Sequence, residues 1–124
     1  MTTTETRPDS KLDWTFSNKC GVTLSDSVEG KVIADVMWDK PGVQISYYPA
    51  LIRIDGVGRL EFDMNEISDR LGREFDPYQF QVEMSTHYGR MVLLDDKLIL
   101  FADPGEAAQY LAEGTWLPAA QKAR

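Results

Sequence analysis

The stretch PALIRIDGVGRLEFDMNEISDRLGREFDPYQFQVEMSTHYGR, from Pro49 to Arg90, determines the fold. It begins with apolar and polar residues that alternate as they do in β-strands, and it continues with a capped amphipathic helix. It ends with a polar-aromatic turn, Ser85–Arg90. The stretch supplies no full set of catalytic groups. A well-specified fold without chemistry of its own favours a protein that acts on a partner.

The composition indicates one acidic domain. The 124 residues carry a net charge of −7, and a chain of this length buries roughly two-thirds of its unfolded surface in one core. Nucleic acid and anionic membranes bind basic patches, so the charge argues against both as partners. The single cysteine, Cys20, excludes an internal disulfide and fits a reducing cytosol. With a polar start and no apolar run of about 20 residues, the sequence predicts a soluble cytoplasmic protein.

Three regions are predicted along the chain. Residues 1–17 form a Thr-rich polar tail that we expect to be flexible, residues 18–114 form the folded domain, and residues 115–124 form a second flexible tail. Trp14 and Phe16 interrupt the first tail. They either hold the tail against the domain or remain exposed for a partner surface.

The domain is predicted to be α+β, with a mostly antiparallel sheet and the order β-α-β-β-β-α-β-β-β-α. Alternating apolar residues predict the strands, which are 20–24, 43–48, 50–55, 59–63, 80–85, 91–94 and 97–101. The strands between residues 43 and 63 should form one meander with a single apolar face. Trp38, at the end of the first helix, lies outside the apolar helical face and is either covered by a tail or available for docking.

The helix ends follow from capping residues. Asp26 or Ser27 can cap the first helix, and Asp63 with Glu66 has the spacing of a capping box for the second. Gly72 is the expected stop of that helix because the position after a helix favours a left-handed residue. Asp76-Pro77 should start a short helical turn before the strand 80–85, and Asp103-Pro104 should open the last helix.

The residue types used in catalysis form no convergent set in this sequence. His87 is the one histidine and Cys20 the one cysteine, so the sequence lacks the three or four His or Cys ligands of a zinc site. A cysteine nucleophile would need Cys20 beside His87, and the sequence neither shows nor excludes that contact. Gly56-x-Gly58 lacks the third glycine of a dinucleotide loop and is typical of a tight turn. We therefore expect no enzymatic activity, no cofactor and no metal.

His87 and its neighbours favour a contact role. Tyr88 brings a large amphipathic ring and Arg90 a forked donor, and these residue types are enriched at hot spots of protein interfaces. Ser85 and Thr86 add small hydroxyls. The alternative is a plain hairpin connection with Gly89 at a positive φ angle.

These residues resemble a known family. The blocks that carry the resemblance are Ala50–Asp55, Arg59–Asp63, Leu71-Gly72-Arg73-Glu74-Phe75-Asp76 and Ser85-Thr86-His87-Tyr88-Gly89-Arg90. They are similar to the coupling proteins, also called effector or regulatory proteins, of soluble bacterial diiron monooxygenases. That family includes the regulatory protein B of methane monooxygenase and the phenol hydroxylase regulatory proteins. The resemblance covers about residues 18–102, and Asn18–Leu24 with Ser85–Met91 is closest to the propane or short-alkane branch.

The resemblance implies a cofactor-free protein that docks on the α subunit of a diiron hydroxylase, near the metals. Docking would tune oxygen activation and substrate access, and would couple NADH oxidation to hydroxylation. A reductase with flavin and an iron–sulfur cluster is expected to share part of the docking surface. The expected hydroxylase contacts are Trp14, Phe16, Asn18, Trp38, Tyr48, Arg53, Ser85, Thr86, His87, Tyr88, Gly89 and Arg90.

Two other functions remain open from the residues alone. The sheet and the Gly56–Gly58 turn also fit a small-ligand-sensing α+β regulatory domain. An enzyme that uses His87, Cys20 or Glu83 is the third hypothesis. The sequence specifies neither the substrate of the cognate hydroxylase nor the oligomeric state.

Overall fold

The computed structural model describes residues 18–115, with side chains to Glu113. Trp14, Phe16, the predicted tail 1–17 and residues 116–124 lie outside the described residues. The prediction of α+β class with antiparallel sheets is confirmed. The strands are β1 (Lys19–Ser25), β2 (Val43–Tyr48), β3 (Leu51–Val57), β4 (Arg59–Asp63), β5 (Met84–Tyr88), β6 (Arg90–Leu93) and β7 (Lys97–Phe101). The helices are α1 (Val28–Met37), α2 (Met64–Leu71), α3 (Pro77–Glu83) and α4 (Pro104–Tyr110), followed by a π-helical turn (Leu111–Thr115).

The strands form two antiparallel sheets rather than one. The four-stranded sheet has the order β2-β3-β1-β5, and the three-stranded sheet has the order β4-β7-β6. The predicted single meander over residues 43–63 is therefore wrong at its third strand, because β4 leaves β3 and pairs with β7. Gly58 adopts a φ of 80° between them, and Gly56 has no side chain where Leu60 packs. These two glycines let the chain turn from one sheet into the other.

The core lies on the inner side of the four-stranded sheet. Alternate residues of β1 and β3 point into it, together with side chains of β4, β7, α1, α2 and α3. Its largest fully buried side chains are Leu24, Ile33, Met37, Ile52, Ile54, Leu60, Phe62, Ile67, Phe80 and Leu98. A smaller cluster under α4 contains Val92, Ile99, Phe101 and Ala107. Because β7 contributes to both clusters, Leu98–Phe101 is buried on both faces, which is typical of a continuous apolar run.

The predicted strand 80–85 is wrong over most of its length, because residues 77–83 form the helix α3. Asp76 accepts a hydrogen bond from the Gln79 amide (2.8 Å), and Gln79 Oε1 accepts one from the Asp76 amide (3.1 Å). This capping box, with Pro77 at the first helical position, outweighs the alternating pattern of Phe80, Val82 and Met84. Phe80 packs against Phe62 with ring centroids 4.7 Å apart, whereas Val82 faces solvent.

The other helix ends agree with their predicted caps. Ser27 caps α1 by accepting from the Gly30 amide (3.0 Å), and Asp63 caps α2 by accepting from the Asn65 amide (2.8 Å). Gly72 ends α2 in the left-handed region, as predicted. The Glu66 carboxylate, predicted to complete a capping box with Asp63, instead accepts from Lys40 Nζ at 3.1 Å.

Substitutions at Phe80 and Val82 distinguish the observed helix from the predicted strand. A strand would place both side chains on one face, whereas in α3 Phe80 is 0% and Val82 is 69% exposed. We expect Phe80→Ala to lower the free energy of unfolding by about 3–5 kcal/mol. We expect Val82→Ala to change it by less than about 0.5 kcal/mol, measured by urea denaturation. Equal losses for both variants would contradict the helical register.

Candidate functional site

The candidate site is the outer face of the four-stranded sheet, opposite the core. In β1 the side chains of Cys20, Val22 and Leu24 point inward, so Gly21 and Thr23 point outward. Residues paired across neighbouring strands share a face. The register therefore defines the outer face by the residues Gly21, Thr23, Gln44, Ser46, Tyr48, Leu51, Arg53, Asp55, Thr86 and Tyr88.

Four of the expected contact residues come together on this outer face. Tyr48 lies on β2, Arg53 on β3, and Thr86 and Tyr88 on β5. Thr23 of β1 pairs with Arg53 on one side and with Thr86 on the other. The sequence separates these contacts by up to 40 positions, and the central strand β1 joins them into one surface.

The segment Ser85–Arg90 is not the turn that the sequence predicted. Its first four residues belong to the edge strand β5, and Arg90 begins β6 in the other sheet. Ser85 lies at a β-bulge opposite Thr23 and Leu24. The hairpin alternative is also wrong, since β5 pairs with β1 and β6 pairs with β7. His87 pairs with Val22, so it lies on the core side of the sheet, where the edge position leaves it exposed.

Gly89 joins the two sheets at a φ of 105°, and its predicted positive φ is confirmed. A Cβ atom at this position would lie 2.8 Å from Cys20 Cβ and 2.8 Å from the carbonyl oxygen of Phe101. These contacts are shorter than van der Waals separation, so the site admits no side chain. Gly89 thus fixes where β5 ends and β6 begins.

The remaining expected contacts lie away from the outer face. Asn18 is exposed before β1, and its carbonyl oxygen accepts from the Gly58 amide at 2.7 Å. Trp38 ends α1, which packs on the core side, and its side chain is 65% exposed. Arg90 is exposed on β6. The structure therefore divides the predicted contacts between the outer face and other surfaces.

Three residues of the outer face form a hydrogen-bonded cluster, Arg53–Asp55–Tyr88, called here the outer-face triad. The Tyr88 hydroxyl donates to Asp55 Oδ1 at 2.5 Å, and Arg53 Nη2 donates to the same oxygen at 2.9 Å. Tyr88 and Asp55 lie on strands β5 and β3, which flank β1. The Tyr88 side chain therefore crosses β1 to reach its acceptor.

Gly21 makes that crossing possible. It lies on β1 between its cross-strand partners Asp55 and Tyr88. A Cβ atom at Gly21 would lie 2.6 Å from Tyr88 Cε1 and 2.5 Å from Asp55 Oδ1. It would also lie 2.9 Å from the carbonyl oxygen of Ile54. Any other residue at position 21 would displace the ring from the strand.

The triad changes the ionisation of its members. Burial, followed by the hydrogen bond to Asp55 and its negative charge, raises the pKa of Tyr88 to about 12. The Asp55 carboxylate, mainly by its charge, raises the pKa of the Arg53 guanidinium. Near neutral pH the triad thus contains a neutral phenol that donates and a charged guanidinium that donates, both to one carboxylate oxygen.

Two other groups considered for catalysis, Cys20 and Glu83, take part in hydrogen bonds within the fold. Cys20 is fully buried, its Sγ donates to the Leu100 carbonyl oxygen at 3.3 Å, and burial raises its pKa to about 11. A thiol with that pKa stays protonated near pH 7 and is a poor nucleophile. Glu83 accepts from the Ser27 hydroxyl at 2.5 Å, at the start of α1. Between residues 18 and 113, no group of three or more His, Cys, Asp or Glu side chains could hold a metal ion.

No helix among the described residues is long and apolar enough to cross a membrane.

Sequence reasoning missed Gly21 and Asp55 as parts of the site. Asp55 lies in a predicted strand and in the block Ala50–Asp55, but its pairing with Tyr88 depends on a strand order that the sequence does not show. Gly21 did carry a signal, because a glycine inside a strand indicates a bulge or a close approach of another group.

The fold and this surface together define an α+β domain with a polar-aromatic sheet face. The chain belongs to the MmoB/DmpM family, whose sequence model matches residues 18–101. The predicted family is thereby confirmed.

One similar relative is the effector component of propane 2-monooxygenase from Gordonia sp. (strain TY-5). It is 56% identical over 99 residues, which cover 80% of this chain and 89% of the relative. A solved phenol hydroxylase–regulatory protein complex contains a chain that matches with a TM-score of 0.63 at 24% identity, covering 68% of this chain and 99% of that chain. The soluble methane monooxygenase regulatory protein B matches with a TM-score of 0.59 at 25% identity, covering 80% of this chain and 75% of that chain.

The ionisation of Tyr88 is directly measurable. A group with a raised pKa stabilises the fold fully below its unfolded value, about 10 for tyrosine, and loses that contribution as the pH rises toward its folded value. We therefore expect the Tyr88 contribution to stability to disappear between about pH 10 and pH 12. NMR titration of the Tyr88 ring should show the raised pKa, and Asp55→Ala should move it back toward about 10. An ordinary Tyr88 titration in the unaltered protein would contradict the triad.

Proposed function

We propose that this protein is a cofactor-free effector component of a multicomponent soluble diiron monooxygenase. It binds the α subunit of the hydroxylase near the diiron site, tunes oxygen activation and substrate access, and couples NADH oxidation to hydroxylation. The observation that carries this proposal is the 56% identity to a propane 2-monooxygenase effector component over most of both chains. The chain matched in the phenol hydroxylase–regulatory protein complex shares the fold.

The outer face is the surface through which we propose that the hydroxylase binds. It presents two tyrosines, an arginine and several hydroxyls on a rigid sheet, and Tyr and Arg are the residue types that dominate interface hot spots. Hydrogen-bonded polar groups at such a face give orientation, while the rings supply contact area. We propose that Trp14, Phe16, Asn18, Trp38 and Arg90 extend the contact beyond this face.

To change the activity of the hydroxylase, the effector must bind two hydroxylase conformations with different affinities. A protein that carries no reacting group changes a partner's chemistry by binding one of its conformations more tightly than another, and equal affinity for both would shift nothing. We propose that a flavin and iron–sulfur reductase uses part of the same surface. The two components would then compete for the hydroxylase, so an excess of effector would slow electron delivery.

The small-ligand-sensing alternative has weaker support. The groove between β6 and α4 has a volume of about 240 Å³, and the one between α1 and α3 about 160 Å³. Small-molecule sites usually occupy about 300–1,000 Å³. Calorimetric titration with candidate ligands would revive this alternative if it showed saturable binding without any effect on a hydroxylase.

Reconstitution of the cognate monooxygenase tests the proposed function. Adding this protein to the purified hydroxylase and reductase should raise the amount of product formed per NADH consumed, with a maximum near one effector per hydroxylase α subunit. The measurement is parallel quantification of product and NADH. No change at stoichiometric amounts, or turnover by the isolated protein, would refute the proposal.

Alanine substitution of β5 tests the docking surface. Replacing Ser85, Thr86, His87 and Tyr88 together should raise the effector concentration needed for half-maximal activation by more than about 10-fold, because it removes an interface hot spot. The matched control replaces Tyr78 and Val82, which are 75% and 69% exposed on α3, and should leave activation close to that of the original protein. Circular dichroism checks that both variants fold. Unchanged activation by the folded β5 variant would exclude this strand from the docking surface.

A further inference from the structure

The outer-face triad holds Tyr88 in one position before any partner is present. The ring lies against the backbone of Gly21, and its hydroxyl is fixed by Asp55 at 2.5 Å. Asp55 is itself held by the guanidinium of Arg53. Tyr88 is thus constrained at both the ring and the hydroxyl, although it is 41% exposed.

The triad is not needed to complete the core. The inward residues of β1 and β3 fill the core from the other side of the sheet, and the triad lies on the outer side. Arg53 and Asp55 form a pair that is partly open to solvent, and such pairs contribute little to stability. Packing of the core therefore does not by itself require a glycine at this point of the central strand.

A side chain that is held in place before binding favours affinity at an interface. Ordering a free side chain on binding reduces affinity, and a side chain already held in its bound position avoids that loss. The Asp55 carboxylate also has two donors already, so a partner can cover it without leaving an unpaired charge. A ring fixed across three strands is thus suited to fit a preformed pocket on the hydroxylase.

We propose that Gly21, Asp55 and Arg53 are positioning residues that fix the Tyr88 ring as a pre-organised anchor for the hydroxylase. This inference rests on the proposed function. Tyr88 is the contact, and the three positioning residues act through it. The Tyr88 hydroxyl serves to orient the ring and needs no partner on the hydroxylase.

The decisive variant removes the hydroxyl and keeps the ring. Tyr88→Phe should raise the effector concentration for half-maximal activation about 3-fold to 10-fold, the range expected for ordering one side chain on binding. Activation at saturating effector should stay the same, because the ring still makes the same contact once bound. Asp55→Ala should have the same effect, and Asp55→Asn, which keeps an acceptor oxygen, should restore much of the affinity. Tyr78→Phe, which removes a hydroxyl from a tyrosine on α3, is the matched control and should change neither quantity.

A double variant tests whether the residues act as one unit. If Asp55 acts only through the Tyr88 hydroxyl, Asp55→Ala combined with Tyr88→Phe should be no weaker than either single variant. If the increases in half-maximal effector concentration caused by the two substitutions multiplied in the double variant, the inference would be overturned. A Tyr88→Phe protein with unchanged half-maximal activation would also overturn it.

The position of the ring is also measured without a hydroxylase. Nuclear Overhauser contacts between the Tyr88 ring and the Gly21 α protons should be strong in the original protein and weak in Asp55→Ala. Gly21→Ala should remove them as well, provided that circular dichroism shows a folded variant. If the contacts persist in Asp55→Ala, the positioning role is refuted even though the proposed function stands. If the original protein shows the contacts and activates no hydroxylase, the proposed function fails, and with it the docking role of the ring.

Discussion

The period of two along β1 is the constraint on which the structure depends. This strand lies between β3 and β5, and its alternate side chains are divided between the core and the outer face. Cys20, Val22 and Leu24 are buried, so a shift of one residue in register would expose all three. The same register sets Gly21 between Asp55 and Tyr88. The burial that stabilises the sheet therefore also fixes the geometry of the candidate site.

Local signals predicted most elements of the fold, and competing local signals explain the main error. The predictions of the caps Asp63 and Asp103, of the stop at Gly72 and of the strand 97–101 were correct because each depends on a few neighbouring residues. Around Phe80 two local patterns disagreed, and the capping box at Asp76 prevailed over alternation. The assignment of β4 to a second sheet depends on pairing with β7, which is about 40 residues away and has no local signature.

The candidate site was predicted only in part, because part of it also depends on long-range strand pairing. Tyr88, Arg53, Thr86 and Tyr48 were found from residue type and from the family resemblance, and the structure brings them to one face. Asp55 and Gly21 were missed because their role exists only across strands. A carboxylate is recognised as the acceptor of a tyrosine 33 positions away only when the strand order is known. The sequence thus predicts which residues belong to the surface, whereas the contacts that hold them in place depend on long-range strand pairing.

A pre-organised face has a consequence for how an effector distinguishes hydroxylase conformations. A flexible face adapts to either conformation and loses ordering entropy in both cases, so its two affinities tend to become similar. A rigid face fits one shape and leaves gaps against the other, because packed surfaces lose contact energy steeply with small displacements. The difference in affinity, which is the only quantity that shifts the partner's equilibrium, is therefore larger for a rigid anchor. On this view the restraint of Tyr88 by Asp55 and Gly21 serves discrimination between conformations as much as affinity.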